Sequence, residues 1–323
     1  MSKISWLTVL ACALSLAVFS QQFSVVQTKN VPTKRSECGA ATVGDAMFLI
    51  GGRGFRPINR FNFINQTWDS VGSAPIELHH FQTAVYKNEI FIAGAFMGPF
   101  PHEQPVAEVY AYSPSTNTWR VETIIPETRR RGAAGCLIVG NKLLLICGVV
   151  DGHFDGNVAW MDEYDFKTKK WKQLPDAPRA RDHFQAVAVN NKLYVAGGRR
   201  TNAKTDQVFT ITVPEVDVFD LKKQMWITLS SENNIPTPRA GCSAVPMENS
   251  FVVIGGESGK QDTGHNEAEV FDTKRNKWIK TFRLQQGRHG MQAVRYKNKI
   301  YISAGAGNRG GGPELDATEV LHY

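Results

Sequence analysis

Five arginines recur at one position of a repeating sequence pattern, and the guanidinium group is suited to binding a carboxylate. They are Arg35, Arg131, Arg181, Arg239 and Arg288. A guanidinium can hold a carboxylate through two parallel hydrogen bonds, and such a charge-assisted contact contributes roughly 1.5–3 kcal/mol. Two alternatives follow. Either each arginine caps carbonyl groups as part of the repeat, or some project into solvent as a broken ring of cations that binds an acidic ligand.

Histidines also return close to this position, at His80, His183 and His289. Imidazole is a common zinc ligand, so three histidines near one axis could form a metal site. They belong to the second, fourth and sixth copies of the repeat, and we therefore expect them to be spread around a channel mouth. On this basis the sequence predicts no metal site and no cofactor.

Two further groups of titratable residues fall in long loops. One holds Asp151, His153 and Asp155, and the other holds Glu257 and His265. Both groups could serve acid–base chemistry, and both are also explained as ordinary loop residues. The sequence shows no Ser-His-Asp order and no phosphate-binding loop. No residue is therefore assigned a catalytic role.

The elements that must position these residues follow from a repeat of roughly 50 residues. In each copy an apolar run ends in small residues, as at Gly197-Gly198, and an aromatic residue then stands seven positions before a tryptophan. The aromatic–tryptophan pairs are Phe61/Trp68, Tyr112/Trp119, Tyr164/Trp171, Phe219/Trp226 and Phe271/Trp278. A unit of this length and content predicts one four-stranded antiparallel blade of a β-propeller.

The small-residue runs predict six blades, over residues 35–78, 79–130, 131–180, 181–238, 239–287 and 288–323. The sixth ends at its third strand, so we expect residues 22–33 to supply its fourth strand and to remove an exposed sheet edge. The predicted fold class is all-β: a six-bladed propeller of four-stranded antiparallel blades, closed by an N-terminal strand and forming one domain over residues 22–323.

With these motifs the chain resembles the kelch-repeat superfamily over residues 22–323. That superfamily includes enzymes with a galactose-oxidase-like central domain, sialic-acid mutarotases of the bacterial periplasm, plant specifier proteins and BTB–kelch adaptors of ubiquitin ligation. This chain resembles a secreted form without a BTB domain, and it shows no convincing Tyr/Cys/His copper constellation. The adaptors grip acidic peptides with arginines at this repeat position. The resemblance therefore implies an acidic-ligand site at Arg131, Arg181 and Arg239.

Residues 1–20 predict a secretory signal peptide, with Lys3 before an apolar stretch and a cleavage site after Ser20. The alternative is an uncleaved membrane anchor, but the stretch is shorter than the ~20 residues that span a bilayer. We expect a secreted or periplasmic protein with no membrane insertion after cleavage. Asn65, in the sequence Asn65-Gln66-Thr67, would then be a glycosylation site in a eukaryotic secretory pathway.

Cysteines of the mature chain stand at apolar strand positions: Cys38, Cys136, Cys147 and Cys242. We therefore expect buried free thiols, although an even number of cysteines in a secreted protein also permits disulfides. Cys136 and Cys147 lie on neighbouring strands of one predicted hairpin. They are the pair in which a bond has to be tested.

The net charge and the loop lengths limit the classes of function that the sequence supports. The net charge of +7 and the pI near 9.1 weakly favour acidic partners, and no nucleic-acid-binding motif accompanies them. Long loops of unequal length, such as 199–214, meet at one predicted face, where a rigid scaffold usually carries its binding site. The leading hypothesis is a secreted, non-enzymatic binding protein for an acidic peptide, protein or glycan. The alternatives are a mutarotase or epimerase acting on an acidic sugar, and an intracellular ubiquitin-ligase adaptor.

Overall fold

Six antiparallel sheets surround a central axis and form a β-propeller. The computed structural model describes residues 22–323, and the predicted signal peptide at residues 1–20 lies outside the described residues. Each of these six sheets has four strands, so the prediction of an all-β, six-bladed propeller is confirmed. Within residues 22–323, none of the helices has the length and apolar character needed to cross a bilayer.

Each blade begins with its innermost strand, because the first strands of neighbouring blades contact one another around the axis. Blade one contains Cys38–Val43, Ala46–Gly51, Pro57–Asn62 and Thr67–Ser73. Blade two contains Gln82–Tyr86, Glu89–Ala93, Glu108–Ser113 and Thr118–Ile124. Blade three contains Gly135–Val139, Lys142–Ile146, Met161–Asp165 and Lys170–Leu174.

The other three blades repeat this order. Blade four contains Ala186–Val189, Lys192–Val195, Asp217–Asp220 and Met225–Thr228. Blade five contains Ser243–Pro246, Ser250–Ile254, Glu267–Asp272 and Lys277–Arg283. Blade six contains Val294–Tyr296, Lys299–Ile302 and Glu319–His322, completed by Ser24–Val25.

Short elements also form inside the long loops. Two small hairpins pair Phe96–Met97 with Gln104–Pro105 and Val149–Asp151 with Asp155–Asn157. Three single-turn 3-10 helices lie at Glu127–Arg129, Ala203–Thr205 and Ser231–Asn233. The hairpins matter for function because they bring loop residues of blades two and three back over the axis.

Neighbouring blades are joined through the tryptophans of the repeat. Four of them donate an indole N–H to a carbonyl of the preceding blade or its outgoing connection: Trp119 to Ser73, Trp171 to Ile124, Trp226 to Pro175 and Trp278 to Asn233. Trp68 instead donates to the hydroxyl of Thr318, in blade six. The tryptophan of each pair therefore links two neighbouring blades, which explains why the pair recurs in the repeat.

Glutamines close the axis across alternate blades. The side-chain amide of Gln82 donates to the carbonyl of Ala186, that of Gln185 to Met291, and that of Gln292 to Thr83. Blades two, four and six are thereby joined in a ring of three. The opening at the long-loop face is therefore the mouth of a blind pocket and not of an open channel.

The N-terminal segment closes the propeller in the predicted manner. Ser24 pairs with Val320 and Val25 pairs with Glu319, so the last blade receives its fourth strand from the start of the described chain. Phe23, only 1% exposed, packs in the same core cluster as Leu321. Closure leaves blade six without an unpaired outer edge on its third strand.

All four cysteines of the described chain are free and buried. Burial raises the pKa of Cys38, Cys136 and Cys147 to about 12, so these thiols are protonated and unreactive at neutral pH. Cys136 lies opposite Leu145 on the neighbouring strand, and Cys147 falls after the end of that strand. The pair singled out from the sequence is therefore not bonded.

Candidate functional site

A blind pocket of about 180 Å³ opens at the long-loop mouth of the axis. All six blades contribute to its wall, because each sends the loop after its second strand over the axis. The charged and titratable lining residues are Glu37, Arg53, His80, His153, Arg199, Glu257, His289 and Glu314, and the two phenylalanines of the lining are Phe100 and Phe209. We call this cavity the mouth pocket.

Three buried imidazoles form the floor of this region, and we call them the histidine triangle: His80, His153 and His183. Their ring centroids are 4.7 to 5.0 Å apart. Their candidate ligand nitrogens all lie within 4.8 Å of one another, a spacing at which they could hold a metal ion. The expectation that His80 and His183 would be spread around the ring is therefore wrong. The inner strands stand so close to the axis that residues of alternate blades touch.

Backbone conformation helps to aim two of these rings at the axis. His80 and His183 have positive φ values of 55° and 53°, immediately before their innermost strands. A non-glycine residue pays a conformational cost in this left-handed region. The third member, His153, comes from the loop hairpin of blade three, and its backbone N–H is held by the carbonyl of Pro101 at 2.8 Å.

The hydrogen bonds of the triangle engage Nδ1 of each ring and leave Nε2 as its candidate ligand atom. Nδ1 of His153 lies 2.8 Å from Glu103, and Nδ1 of His183 is bonded to Asp182. Nδ1 of His80 lies 2.6 Å from Nδ1 of His79, whose Nε2 donates to the carbonyl of Gly98. Burial lowers the pKa of His79 to about 4, so its neutral ring must accept at Nδ1. His80 then carries its proton on Nδ1 and a lone pair on Nε2, which lies 3.4 Å from Oε2 of Glu37.

Burial also keeps two rings of the triangle neutral. It lowers the pKa of His80 well below the ordinary histidine value, and the neighbouring His79 and His183 add to this effect. Burial likewise lowers the pKa of His153, although its hydrogen bond to Glu103 acts in the opposite direction. Neutral imidazole is the form that binds metals and that offers a lone pair to a hydroxyl group.

His289, the third histidine predicted at the mouth, is not part of the triangle and instead contacts two carboxylates. Its ring lies 3.5 Å from Glu37 and 3.4 Å from Glu257. Burial alone would lower the pKa of His289, but the two carboxylates outweigh it and raise the pKa to about 9. Burial alone would raise the pKa of Glu37, but the hydrogen bond and charge of His289 lower it to about 2. The contact is therefore an ion pair at neutral pH.

The arginines predicted as a cationic ring are buried inside the blades, each of them 0% exposed: Arg35, Arg131, Arg181, Arg239 and Arg288. Each donates to the carbonyl of the first small residue of its blade, namely Gly51, Cys147, Gly197, Gly255 and Ala304. Four also pair with a third-strand carboxylate at 2.5 to 2.6 Å: Asp162, Asp217, Glu269 and Glu319. Asn59 takes that place in blade one. This is the carbonyl-capping alternative, and it leaves no guanidinium of the ring open to solvent.

The remaining predicted residues lie apart from the floor of the pocket. Asn65 is exposed in an outer turn, as a glycosylation site would require. Asp151 pairs with His102, and Asp155 lies 3.7 Å from Lys204. His265 is buried against Ser258 at 2.9 Å. Of the two loop groups singled out for acid–base chemistry, the mouth pocket thus receives His153 and Glu257.

Several residues of the site were missed in the sequence: Glu37, Arg53 and Arg199 in the pocket wall, and Glu103 and Asp182 behind the histidines. One signal could have pointed to the floor, because the His-Phe-Gln sequence at residues 80–82 returns at residues 183–185. A motif shared only by alternate blades indicates contact across the axis. Glu37 shares the repeat position of His80 and His183, and Arg53 and Arg199 each follow a Gly-Gly pair, so the repeat relates these residues as well. Glu103 lies in a long loop, where no repeat spacing places it.

Comparison with known proteins agrees with this fold. The KLHDC2/KLHL20/DRC7 Kelch-repeats domain model matches residues 13–198 and again residues 125–305. The chain is 27% identical over 303 residues to Kelch-like protein terF of Aspergillus terreus (strain NIH 2624 / FGSC A1156), covering 87% of this chain and 63% of that protein. It is also 27% identical over 227 residues to Alpha-scruin of Limulus polyphemus, covering 67% of this chain and 23% of that protein.

Among solved structures, that of YjhT has a similar fold. It matches with a TM-score of 0.75 and 16% identity, covering 92% of this chain and 97% of that chain. The chain spans less than two thirds of the length of the two curated relatives named above. The kelch model nevertheless covers most of the chain, and it confirms the resemblance inferred from the glycine runs and the aromatic–tryptophan pairs. The chain belongs to the kelch-repeat family.

Proposed function

We propose that this protein is a kelch-repeat binding propeller whose ligand is a small, hydroxyl-rich molecule of the size of one sugar ring, held in the mouth pocket. One observation carries the proposal. A blind pocket of about 180 Å³ combines charged side chains that already have partners with the side chains of two phenylalanines. Concave sites with a few placed polar groups and aromatic walls are the usual sites for small ligands.

The volume of the pocket supports a single-ring ligand. An engineered protein cavity of ~150 Å³ accepts benzene. The mouth pocket, at about 180 Å³, therefore has room for one six-membered ring and little more. A peptide would have to lie across the mouth instead of entering it. The size of the cavity thus favours a monosaccharide over the peptide that the sequence suggested.

The charges of the pocket support a neutral ligand. Arg53 is bound to Glu103 at 2.6 Å, and Arg199 is bound to Glu257 at 2.5 Å. An acidic ligand would have to compete with a buried carboxylate for either guanidinium. Hydroxyl groups, in contrast, donate to the carboxylates and accept from the guanidiniums without breaking the pairs. This balance favours a neutral sugar over the acidic peptide or glycan expected from the sequence.

This geometry supports the mutarotase or epimerase alternative less well than it supports binding without turnover. Proton transfer is most efficient when the acid and the base have pKa values close to the operating pH. The ion pair of His289 and Glu37 has pKa values of about 9 and about 2, on either side of neutrality. A pair of this kind is a strong fixed dipole that orients a ligand, and a poor exchanger of protons. We therefore propose binding without turnover.

Ligand titration with a matched pair of phenylalanine variants tests the proposal. Calorimetry would compare neutral monosaccharides, acidic monosaccharides and an acidic peptide. We expect only neutral sugars to bind, and Phe209→Ala to weaken binding about tenfold, the effect of losing about 1.4 kcal/mol of aromatic contact. Phe55, 75% exposed in a loop of the same face but outside the pocket, provides the control Phe55→Ala.

Two outcomes would contradict the neutral-sugar proposal. Binding of the acidic peptide or the acidic sugars, with no binding of neutral sugars, would restore the hypothesis drawn from the sequence. Equal loss of affinity in Phe209→Ala and Phe55→Ala would place the ligand on the outer loop surface and not in the pocket.

We also propose that the protein is exported. The support is the apolar leader ending near Ser20, together with the sequon at Asn65, which lies in an exposed turn. Intact mass and N-terminal sequencing of protein exported by its host would give a chain that begins near Gln21, and in a eukaryotic host additional mass at Asn65. A chain inside the cell that keeps Met1 would favour the membrane-anchored or adaptor alternatives.

A further inference from the structure

The histidine triangle has the residue types and the spacing of a metal site, and the proposed sugar-binding role does not require one. Its three rings come from blades two, three and four, and they lie between the mouth pocket and a smaller axial cavity of about 40 Å³. His80 lines both cavities, His153 lines the outer one and His183 the inner one. The triangle is thus the partition between them.

An unpartnered nitrogen points to a missing partner at this partition. His183 is 6% exposed, and its Nε2 is completely buried with no hydrogen-bond partner among residues 22–323. A buried polar atom without a partner costs about 1–3 kcal/mol, so native structures rarely leave one. The Nδ1 of the same ring is fixed by Asp182, and the ring therefore cannot turn to satisfy Nε2 without losing that bond.

Carboxylates behind the rings complete the pattern expected of metal ligands. Metal-binding histidines usually donate their second N–H to a carboxylate or carbonyl, which fixes the tautomer and strengthens the ligand. Glu103 does this for His153 and Asp182 does it for His183. Asp182 is itself held by the backbone N–H and the hydroxyl of Thr201, at 2.8 and 2.6 Å. The support of the triangle is therefore rigid.

We propose that Nε2 atoms of His80, His153 and His183 bind one divalent first-row transition-metal ion of the zinc class, with its open coordination position toward the mouth pocket. Three imidazoles suit zinc, copper, iron or nickel and do not suit magnesium or calcium, which prefer oxygen ligands. Two buried carboxylates, Glu103 and Asp182, stand behind the ligands, and Glu103 also pairs with Arg53. The proposal does not depend on the identity of the pocket's ligand.

The spacing of the rings is compatible with this assignment. Zinc–nitrogen bonds of 2.0–2.1 Å place the nitrogens of a tetrahedral site ~3.3 Å apart. The nitrogens of the triangle lie within 4.8 Å of one another, so each pair must close by ~1.5 Å or less. Glu37, whose Oε2 lies 3.4 Å from Nε2 of His80, adds negative charge on the pocket side.

Metal analysis of the full chain tests the site. The protein would be stripped with a chelator, dialysed, titrated with Zn²⁺ and analysed by mass spectrometry, and Co²⁺ would be added separately to follow its visible absorption. We expect one zinc per chain, a cobalt spectrum typical of a four-coordinate site, and at least 100-fold weaker binding in His183→Ala. Asp182→Asn, which keeps the ring but weakens its support, should cost 10- to 100-fold.

A matched control separates the triangle from adventitious surface binding. His102 is a 54% exposed imidazole paired with Asp151 in the loops above the pocket, so His102→Ala should leave zinc affinity unchanged. If His183→Ala fails to fold by circular dichroism, His153→Ala replaces it. Fewer than one zinc per ten chains in the wild-type protein overturns the proposal. Full affinity in the folded ligand variant, or loss of affinity in His102→Ala, overturns it as well.

Discussion

Buried charged residues of this protein fall into two groups with different roles. The repeat arginines bind a carbonyl of their own blade and a carboxylate of its third strand, so they fix the geometry of the blade. The pocket residues, such as Arg199 with Glu257, are also paired, but their pairs border a cavity. Removing one partner of a buried pair is strongly destabilising, because the other charge is left buried and uncompensated.

Arg239 provides the clearest test of the structural role. Its guanidinium is 0% exposed and binds Glu269 at 2.6 Å. Arg239→Met should lower the free energy of unfolding by about 3–5 kcal/mol, whereas Arg239→Met combined with Glu269→Leu should recover a large part of that loss. Urea denaturation followed by tryptophan fluorescence measures both.

An exposed arginine is the control for this experiment. The side chain of Arg275 is 73% exposed and pairs with Asp272 at 3.5 Å, so Arg275→Met should change the free energy of unfolding by less than about 1 kcal/mol. Equal effects of Arg239→Met and Arg275→Met on the free energy of unfolding would show that the buried pair does not stabilise the blade.

The sequence predicted the position of the arginines, and the burial of their side chains needed one more observation. An acidic residue recurs on the third strand in four of the blades that carry the arginine: Asp162, Asp217, Glu269 and Glu319. Charge complementarity within the repeat would have indicated an internal pair. For the histidines, the sequence predicted the repeat position correctly but not the distance between the side chains. The narrow axis brings alternate blades together, so the rings of His80 and His183 are in contact. His153 could not be placed at all, since its loop hairpin has no counterpart at a fixed spacing in the other blades.

At the scale of elements, the repeat predicts strands and turns because the same short-range rules act in each copy. The two-residue turns at Lys87-Asn88 and Asn190-Asn191 have positive φ at both positions, as turns of mirror-image type require. The long loops obey no such rule. The hairpin of Val149–Asp151 and Asp155–Asn157, which delivers His153 to the axis, depends on contacts with the loop of blade two instead. The elements that frame the site were therefore predictable, and those that complete it were not.

The turn at Asn191 gives a prediction at this scale. Its φ of 59° lies in the left-handed region, which asparagine tolerates and a β-branched residue does not. Asn191→Val should destabilise the protein by about 1–2 kcal/mol, and Asn191→Gly should be close to neutral. Both variants keep the exposed position free of charge, so urea denaturation compares backbone strain directly. A valine variant as stable as the glycine variant would show that the turn changes its conformation without cost.

At the scale of the whole molecule, closure makes the blades dependent on one another. Blade six has four strands like the other five only as long as it keeps its outer strand, and that strand is only Ser24–Val25. Two strand residues give few hydrogen bonds, so side-chain packing must hold the segment in place. Phe23 is the residue that does so, with its ring in the core cluster that also holds Phe282, Leu284 and Leu321.

Phe23→Ala should therefore lower the free energy of unfolding by about 3–5 kcal/mol, the range for removing a buried phenylalanine. The backbone N–H of Phe23 also binds the carbonyl of Arg283, in blade five, so the same residue joins two blades at the point of closure. Val25→Ala is the matched control, because Val25 is in the same segment but 50% exposed, and it should cost less than about 0.5 kcal/mol. Urea denaturation gives the energies, and limited proteolysis reports whether the segment detaches. If Phe23→Ala releases residues 22–31 to protease while the midpoint of unfolding stays the same, the N-terminal strand covers the edge of blade six without stabilising the ring. A shifted midpoint with one cooperative transition would instead mean that the closure couples all six blades, and with them the geometry of the pocket at their axis.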